Sequence, residues 1–254
     1  MQTVHTVADL RTAVAQWRAA GQRIALVPTM GNLHEGHLRL VDRAHELADR
    51  VVVSIFVNPT QFGPGEDFER YPRTLESDGQ LLAERQTDLI FAPGVEEVYP
   101  SGVESPTRVE VPGLSNVLCG EYRPGHFVGV ATVVAKLLNM AQPDVAIFGT
   151  KDFQQLMVIR RMAADLCMPV EIEGIVTVRE ANGLAMSSRN AYLSEAERDT
   201  AAEIYRALKN TAARLQAGER DFSTLEEEGL SALRAAGFEP DYYVVRDAAD
   251  LNLP

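Results

Sequence analysis

A doubly wound parallel α/β sheet followed by a smaller C-terminal α+β domain is the fold class this sequence predicts, and three observations predict it. Four short apolar runs, residues 24–27, 51–57, 89–92 and 145–148, carry no polar alternation, the mark of strands buried on both faces. Between them apolar residues recur at helical spacing, as in Leu40, Val41, Ala44, Leu47 and Ala48, or Leu156, Ile159, Met162, Ala163 and Leu166. Strands alternating with helices give a parallel sheet covered on both sides. Third, the character of the chain changes near Thr177, where a polar turn, Arg179-Glu180-Ala181-Asn182-Gly183, follows a fifth apolar stretch at 170–178.

The chain opens Met1-Gln2-Thr3-Val4-His5 and runs into a polar helix-like segment, without the basic start and apolar centre of an export signal. The longest apolar tract, 129–135, is stopped by Lys136, well short of the roughly 20 residues that cross a bilayer. A soluble cytoplasmic protein with no membrane partner is therefore expected. Beyond Thr177, Ser194-Glu195-Ala196-Glu197 has the pattern of a capping box and opens the first of two helical segments, 195–216 and 223–236. One strand, 242–246, follows, so the expected domains are 1–176 and 177–254.

At 254 residues, with 46% hydrophobic and 24% charged, the composition is that of a folded globular chain. Lys and Arg number 24 against 36 Asp and Glu, and a net charge of -12 repels a phosphate backbone, so no nucleic-acid partner is expected. Cys119 and Cys167 are far apart and outside any C-x-x-C spacing, which suggests neither a disulfide framework nor a structural zinc site.

In open parallel sheets ligands sit beyond the carboxyl ends of the strands, so the residues just after each apolar run are the candidates. They are Met30, Gly31, His34 and His37 after the first, Asn58-Pro59-Thr60-Gln61 after the second, and Gly149-Thr150-Lys151-Asp152 with Gln154 and Gln155 after the fourth. Met186-Ser187-Ser188-Arg189-Asn190 follow the fifth. His37 heads the core-facing stripe of a helix, with His34 one turn before it. Helix N-termini favour anions, and Gly31 and Gly36 leave room for a phosphate to approach backbone N–H groups. A protonated imidazole alone is disfavoured there; a polyphosphate reverses that, which points to histidines donating to phosphate oxygens. Histidines at i and i+3 also have metal-ligand spacing, but Glu35, the nearest carboxylate, should point to another side of the turn. Lys151 is placed to hold phosphate as a point charge, although a solvated surface lysine is the commoner fate. Gln155 lies on the stripe of Ile159 and Met162, an inward amide suited to a carboxylate and hydroxyl ligand, and Gln61 offers a matching group.

Five segments in order, Pro28 to His37, Phe56-Val57-Asn58-Pro59-Thr60-Gln61-Phe62, Arg123-Pro124-Gly125-His126-Phe127, Phe148 to Leu156 and Gly183 to Asn190, resemble the pantothenate synthetase (pantoate:β-alanine ligase) family over nearly the whole chain. The first is similar to the H-x-G-H signature of Rossmann-like nucleotidyltransferases, and Met186-Ser187-Ser188-Arg189 stands in the place of the K-M-S-K-S loop of class I aminoacyl-tRNA synthetases. The resemblance implies that (R)-pantoate attacks the α-phosphate of ATP to give pantoyl adenylate and pyrophosphate, and that β-alanine then displaces AMP. It implies an ATP site of Met30, Gly31, His34, His37, Gly149, Lys151, Asp152, Val178, Met186, Ser187, Ser188 and Arg189. His37 is the candidate proton donor; His34, Lys151, Ser187, Ser188 and Arg189 complete the expected catalytic set. Gln61 and Gln155, with Asn58 beside them, are expected to bind pantoate, and Gln61 β-alanine as well. Mg²⁺ is expected with ATP, held mostly by phosphates and water rather than by protein. A homodimer and a lid role for the small domain are also implied. Thr150 stands where the family usually has glutamate and Asn182 where aspartate is common. Family members usually run a few tens of residues past a strand like 242–246, so a shortened small domain is expected.

Overall fold

The computed structural model describes residues 1–104 and 106–254. The chain divides into two compact units, Met1–Val176 and Thr177–Pro254. The first unit runs β1 (Gln2–Val4), α1 (Val7–Ala19), β2 (Ile24–Thr29), α2 (Glu35–Leu47), β3 (Arg50–Ile55), α3 (Leu75–Glu84), β4 (Leu89–Phe91) and the single turn α4 (Val95–Val98). It continues with the single turn α5 (Cys119–Tyr122), α6 (His126–Ala141), β5 (Val145–Gly149), α7 (Phe153–Asp165) and β6 (Glu171–Ile175).

All strand pairings are parallel, in the order β1-β4-β3-β2-β5-β6. Side chains alternate between the two faces as a strand requires. Ile24 and Leu26 enter the layer under α1, α6 and α7, while Ala25 and Val27 enter the one under α2 and α3. Val52, Leu89, Phe91, Ala146 and Phe148 repeat the first assignment, and Val51, Val53, Ile90, Val145 and Ile147 the second. The unbroken apolar runs are thus strands with two buried faces. The apolar tract at 129–135 is the middle of α6, a helix buried nearly all round, entered through Gly125 at φ +83°.

Consecutive strands advance from β2 to β3 to β4 on one side, while β5 and β6 lie on the other. The sheet therefore reverses direction between β2 and β5, the switch point at which such folds open a crevice at the strands' carboxyl ends. The turns after β2 and β5 carry the histidines and Lys151.

The second unit contains α8 (Glu195–Ala201), α9 (Glu203–Gln216) and α10 (Phe222–Ala235). Ser194 and Glu197 form the expected reciprocal cap: Ser194 N–H donates to Glu197 at 2.8 Å and Glu197 N–H to Ser194 Oγ at 3.3 Å. The expected helix 195–216 is interrupted at Ala202. The expected strand at 242–246 does not form, so among the described residues this unit is helical apart from one antiparallel bridge, Arg179 to Ala185. Among the described residues 242–246 pairs with no strand; its groups bond to helices instead. Tyr243 Oη and Thr211 Oγ1 lie 2.7 Å apart, and Val245 N–H donates to Glu226 at 2.7 Å.

Candidate active site

The turn from β2 to α2 is built by a buried carboxylate. Gly31 takes φ +83° and Asn32 φ 50°, and a Cβ on Gly31 would come within 3.1 Å of Asp78 Oδ2 and of Ile55 Cγ2. That tight path brings Asn32 N–H to Asp78 Oδ2 at 3.0 Å and Leu33 N–H to Asp78 Oδ1 at 2.8 Å, and Thr74 Oγ1 also donates to Oδ2. Asp78 is buried in the first turn of α3, so its charge is satisfied by these donors rather than by water. Its role was invisible in the sequence, because an acidic residue at a helix start is commonplace.

His34 is the N-cap of α2, and its Nδ1 accepts from Gly36 N–H at 3.1 Å, while His37 Nδ1 accepts from His34 N–H at 3.3 Å. A backbone N–H can only donate, so both Nδ1 atoms are bare acceptors and each neutral ring carries its proton on Nε2. The rings lie 4.1 Å apart. Burial, then the neighbouring His34, then the charge of Lys151 lower the pKa of His37 to about 3. Burial, followed by Lys151, also lowers that of His34. The site thus holds two neutral imidazoles, each with its proton on Nε2, beside the cation of Lys151. The amides of Asn32, Leu33, His34 and Gly36 are committed to Asp78 and the two rings, which shapes the turn. Glu35 turns aside, as expected, and pairs with Arg85 at 3.0 Å.

After β5, residues Thr150–Asp152 form a 3₁₀ turn with no side-chain cap, and Lys151 Nζ lies 3.5 Å from Asp152. On the first turn of α7, Gln154 donates to the carbonyls of Leu114 and Val117, whereas the half-buried Gln155 keeps an amide uncommitted among the described residues. After β3, Gln61 ends a 3₁₀ turn, Pro59–Gln61. Its Oε1 accepts from Asn58 Nδ2 at 3.1 Å and its Nε2 lies 3.3 Å from Met30 Sδ. Asn58, expected to touch substrate, is 1% exposed. Its Nδ2 also donates to Gly129 O, and its Oδ1 takes Thr60 Oγ1 and Tyr99 Oη, so all four hydrogen-bonding positions are filled from within the protein. Asn58 braces the turn, and Tyr99 joins the site as a residue the sequence had not marked.

The other candidates lie in the second unit. Met186 N–H donates to Val178 O at 3.0 Å, closing a turn that holds Gly183 at φ +98°. Ser187 caps the 3₁₀ turn Ser188–Tyr192 by accepting Arg189 N–H, and Ser188 is buried.

A parallel sheet with paired histidines after its switch-point strand is an α/β fold of the nucleotidyltransferase type. Within that class the chain belongs to the pantoate-beta-alanine ligase family, whose model matches residues 2–254. The pantothenate synthetases of Azotobacter vinelandii and Nitrosococcus oceani are each 57% identical to it, over 99% and 100% of this chain and 89% of their own length. A crystal structure of pantothenate synthetase from Thermus thermophilus matches with a TM-score of 0.93 at 50% identity, covering 100% of this chain and 90% of that one. A pantoate-beta-alanine ligase from Francisella tularensis, solved with beta-gamma ATP and β-alanine, matches at a TM-score of 0.82 and 35% identity, covering 93% and 86%.

Proposed function

We propose that the turns after β2, β3 and β5 bind ATP and (R)-pantoate for the ligase reaction of this family. The chain is a ligase that condenses pantoate with β-alanine using ATP. A carboxylate oxygen of pantoate bonds to the α-phosphorus as the bond to the bridging oxygen breaks and pyrophosphate leaves. The amine of β-alanine then attacks the acyl carbon of pantoyl adenylate, loses a proton, and AMP departs.

Neither step needs a protein nucleophile; both need positioning and stabilisation of charge on the departing phosphates. The observation that supports the reading is the reciprocal capping of His34 and His37, which leaves the proton of each ring on Nε2 beside Lys151. In this reading the two Nε2–H groups and Lys151 meet the phosphates, with Met30, Gly31, Gly149 and Asp152 lining the site. His37, kept neutral, donates a hydrogen bond from Nε2 as charge develops on the phosphates. Gln61 and Gln155 hold pantoate, and Gln61 also meets β-alanine. By the resemblance, Val178, Met186, Ser187, Ser188 and Arg189 also contact ATP. Mg²⁺ would accompany ATP and neutralise charge on its phosphates, with the protein's His34, His37 and Lys151 on the remaining phosphate oxygens. The resemblance supports a homodimer and a cytoplasmic location, and no helix among the described residues is long and apolar enough to cross a membrane.

The test is pyrophosphate release from Mg²⁺-ATP on adding (R)-pantoate, with AMP followed in parallel. A single-turnover burst with pantoate alone, becoming continuous AMP formation with β-alanine, is expected. No release from protein that binds ATP overturns the reading.

A further inference from the structure

The Arg123-Pro124-Gly125-His126 segment has no part in the reaction described above, yet it meets Gln61 from below. A Cβ on Gly129 would lie 2.3 Å from Thr60 O and 2.7 Å from Gln61 Cα, so α6 touches the Gln61 turn backbone to backbone. Gly129 O, which can only accept, lies 3.2 Å from Asn58 Nδ2 and fixes that end of Asn58 as the amino group. Gln61 must therefore turn its oxygen towards Asn58 and its own NH₂ towards Met30 Sδ, a poor acceptor that a carboxylate can displace.

The backbone of Gln61 is held by the same helix. Its carbonyl accepts from His126 Nδ1 at 2.8 Å, and Arg123 Nη1 lies 3.1 Å from His126 Nε2. A guanidinium only donates, so Nε2 is bare and Nδ1 carries the proton, the opposite tautomer from His34 and His37. Glu66 grips Arg123 in two bonds, at 2.7 and 2.6 Å, and so fixes the donor that selects this tautomer.

We propose that His126, Gly129 and the Glu66–Arg123 pair are positioning residues for Gln61, holding its backbone and setting the polarity of its amide so that NH₂ meets the substrate carboxylate. This rests on Gln61 binding pantoate. The experiment has two arms. In a long-range ¹⁵N–¹H correlation spectrum of the wild-type protein, His126 is expected to carry its proton on Nδ1 while His34 and His37 carry theirs on Nε2; a proton on His126 Nε2 overturns the proposal. In steady-state kinetics, His126→Ala should raise KM for pantoate about tenfold, the scale of one hydrogen bond, and Gly129→Ala, whose Cβ would press on the Thr60–Gln61 backbone, should raise it at least as much, while KM for ATP holds. His126→Asn, which keeps a donor near the place of Nδ1, should recover most of that loss. Pantoate KM unchanged in His126→Ala, or ATP KM rising equally, overturns the positioning role while turnover stands. Absence of wild-type turnover overturns the functional reading and this proposal with it. Thermal denaturation of each variant separates loss of fold from loss of positioning, and the spectrum needs no variant.

Discussion

The turns after β2 and β5 flank the same switch point, and each opens a helix at a strand's carboxyl end by opposite means. After β2, the amides of Asn32, Leu33, His34 and Gly36 are committed inside the protein, and the turn carries a pair of neutral rings of fixed tautomer. After β5 the first turn has no side-chain cap and presents a flexible cation, Lys151, whose side chain is 40% exposed. The first turn supplies direction without charge and the second supplies charge without direction. The two depend on each other, because the cation of Lys151 and burial together keep the rings neutral.

The sharpest way to break this division is to remove one fixed donor. His37→Ala should lower single-turnover pyrophosphate release by about 10²–10³, the cost of losing one oxyanion donor, with little change in pantoate binding. Lys151→Met should instead weaken ATP binding along with the rate. Equal losses of rate and pantoate affinity in His37→Ala would remove the distinction.

His34 carries two roles that substitution can separate. Asparagine is a good N-cap, so His34→Asn should keep the stability that His34→Ala loses, about 1 kcal/mol, while both variants lose the Nε2–H donor and about tenfold or more in rate. Denaturant titration and the pyrophosphate burst, measured on both, decide it; recovery of rate in His34→Asn would make the cap the whole of its function.

The pH dependence follows from the same geometry. A folded-state pKa of about 3 for His37, below its ordinary 6.5, means the fold favours the neutral ring. That contribution to stability is fully present above the unfolded value and is lost as pH falls from there towards about 3. An NMR titration of the free protein should show His37 unprotonated at about pH 5, and adding Mg²⁺-ATP should move its midpoint upward, since phosphate charge opposes the effects of burial and Lys151. A midpoint unmoved by ATP would remove the phosphates from the neighbourhood of His37.

What was legible in the sequence divides along the same line. The histidine pair is a local pattern, three residues apart in one turn, and its spacing alone placed both rings at the head of α2. The partner of the turn's amides is 45 residues away in Asp78, a distance at which no periodicity speaks. The central strands declared themselves because both faces are buried. β1 did not, since Gln2 and Thr3 are exposed and only Val4 is buried, at the sheet edge beside β4. Residues 242–246 have a strand's composition, but a strand also needs a neighbour; here Tyr243 packs over Gly229, where a Cβ would come within 2.2 Å of its ring.

Asn182, in the second unit, gives the smallest expected effect and one with a local cause. Its Oδ1 accepts Leu184 N–H at 3.0 Å, which shapes the turn around Gly183, and its Nδ2 donates to Asp199 at 3.1 Å. An aspartate there would keep the first bond but set a carboxylate against that of Asp199. Asn182→Asp should therefore cost about 0.5 kcal/mol at low salt, a fall of about 1–2 °C in Tm, since exposed charge pairs act on this scale. Added salt should recover it, and Asn182→Asp combined with Asp199→Asn should restore the donor and the lost stability together. If the double variant shows no coupling, Asp199 is not what this chain's asparagine answers to, and the Leu184 bond alone accounts for the residue.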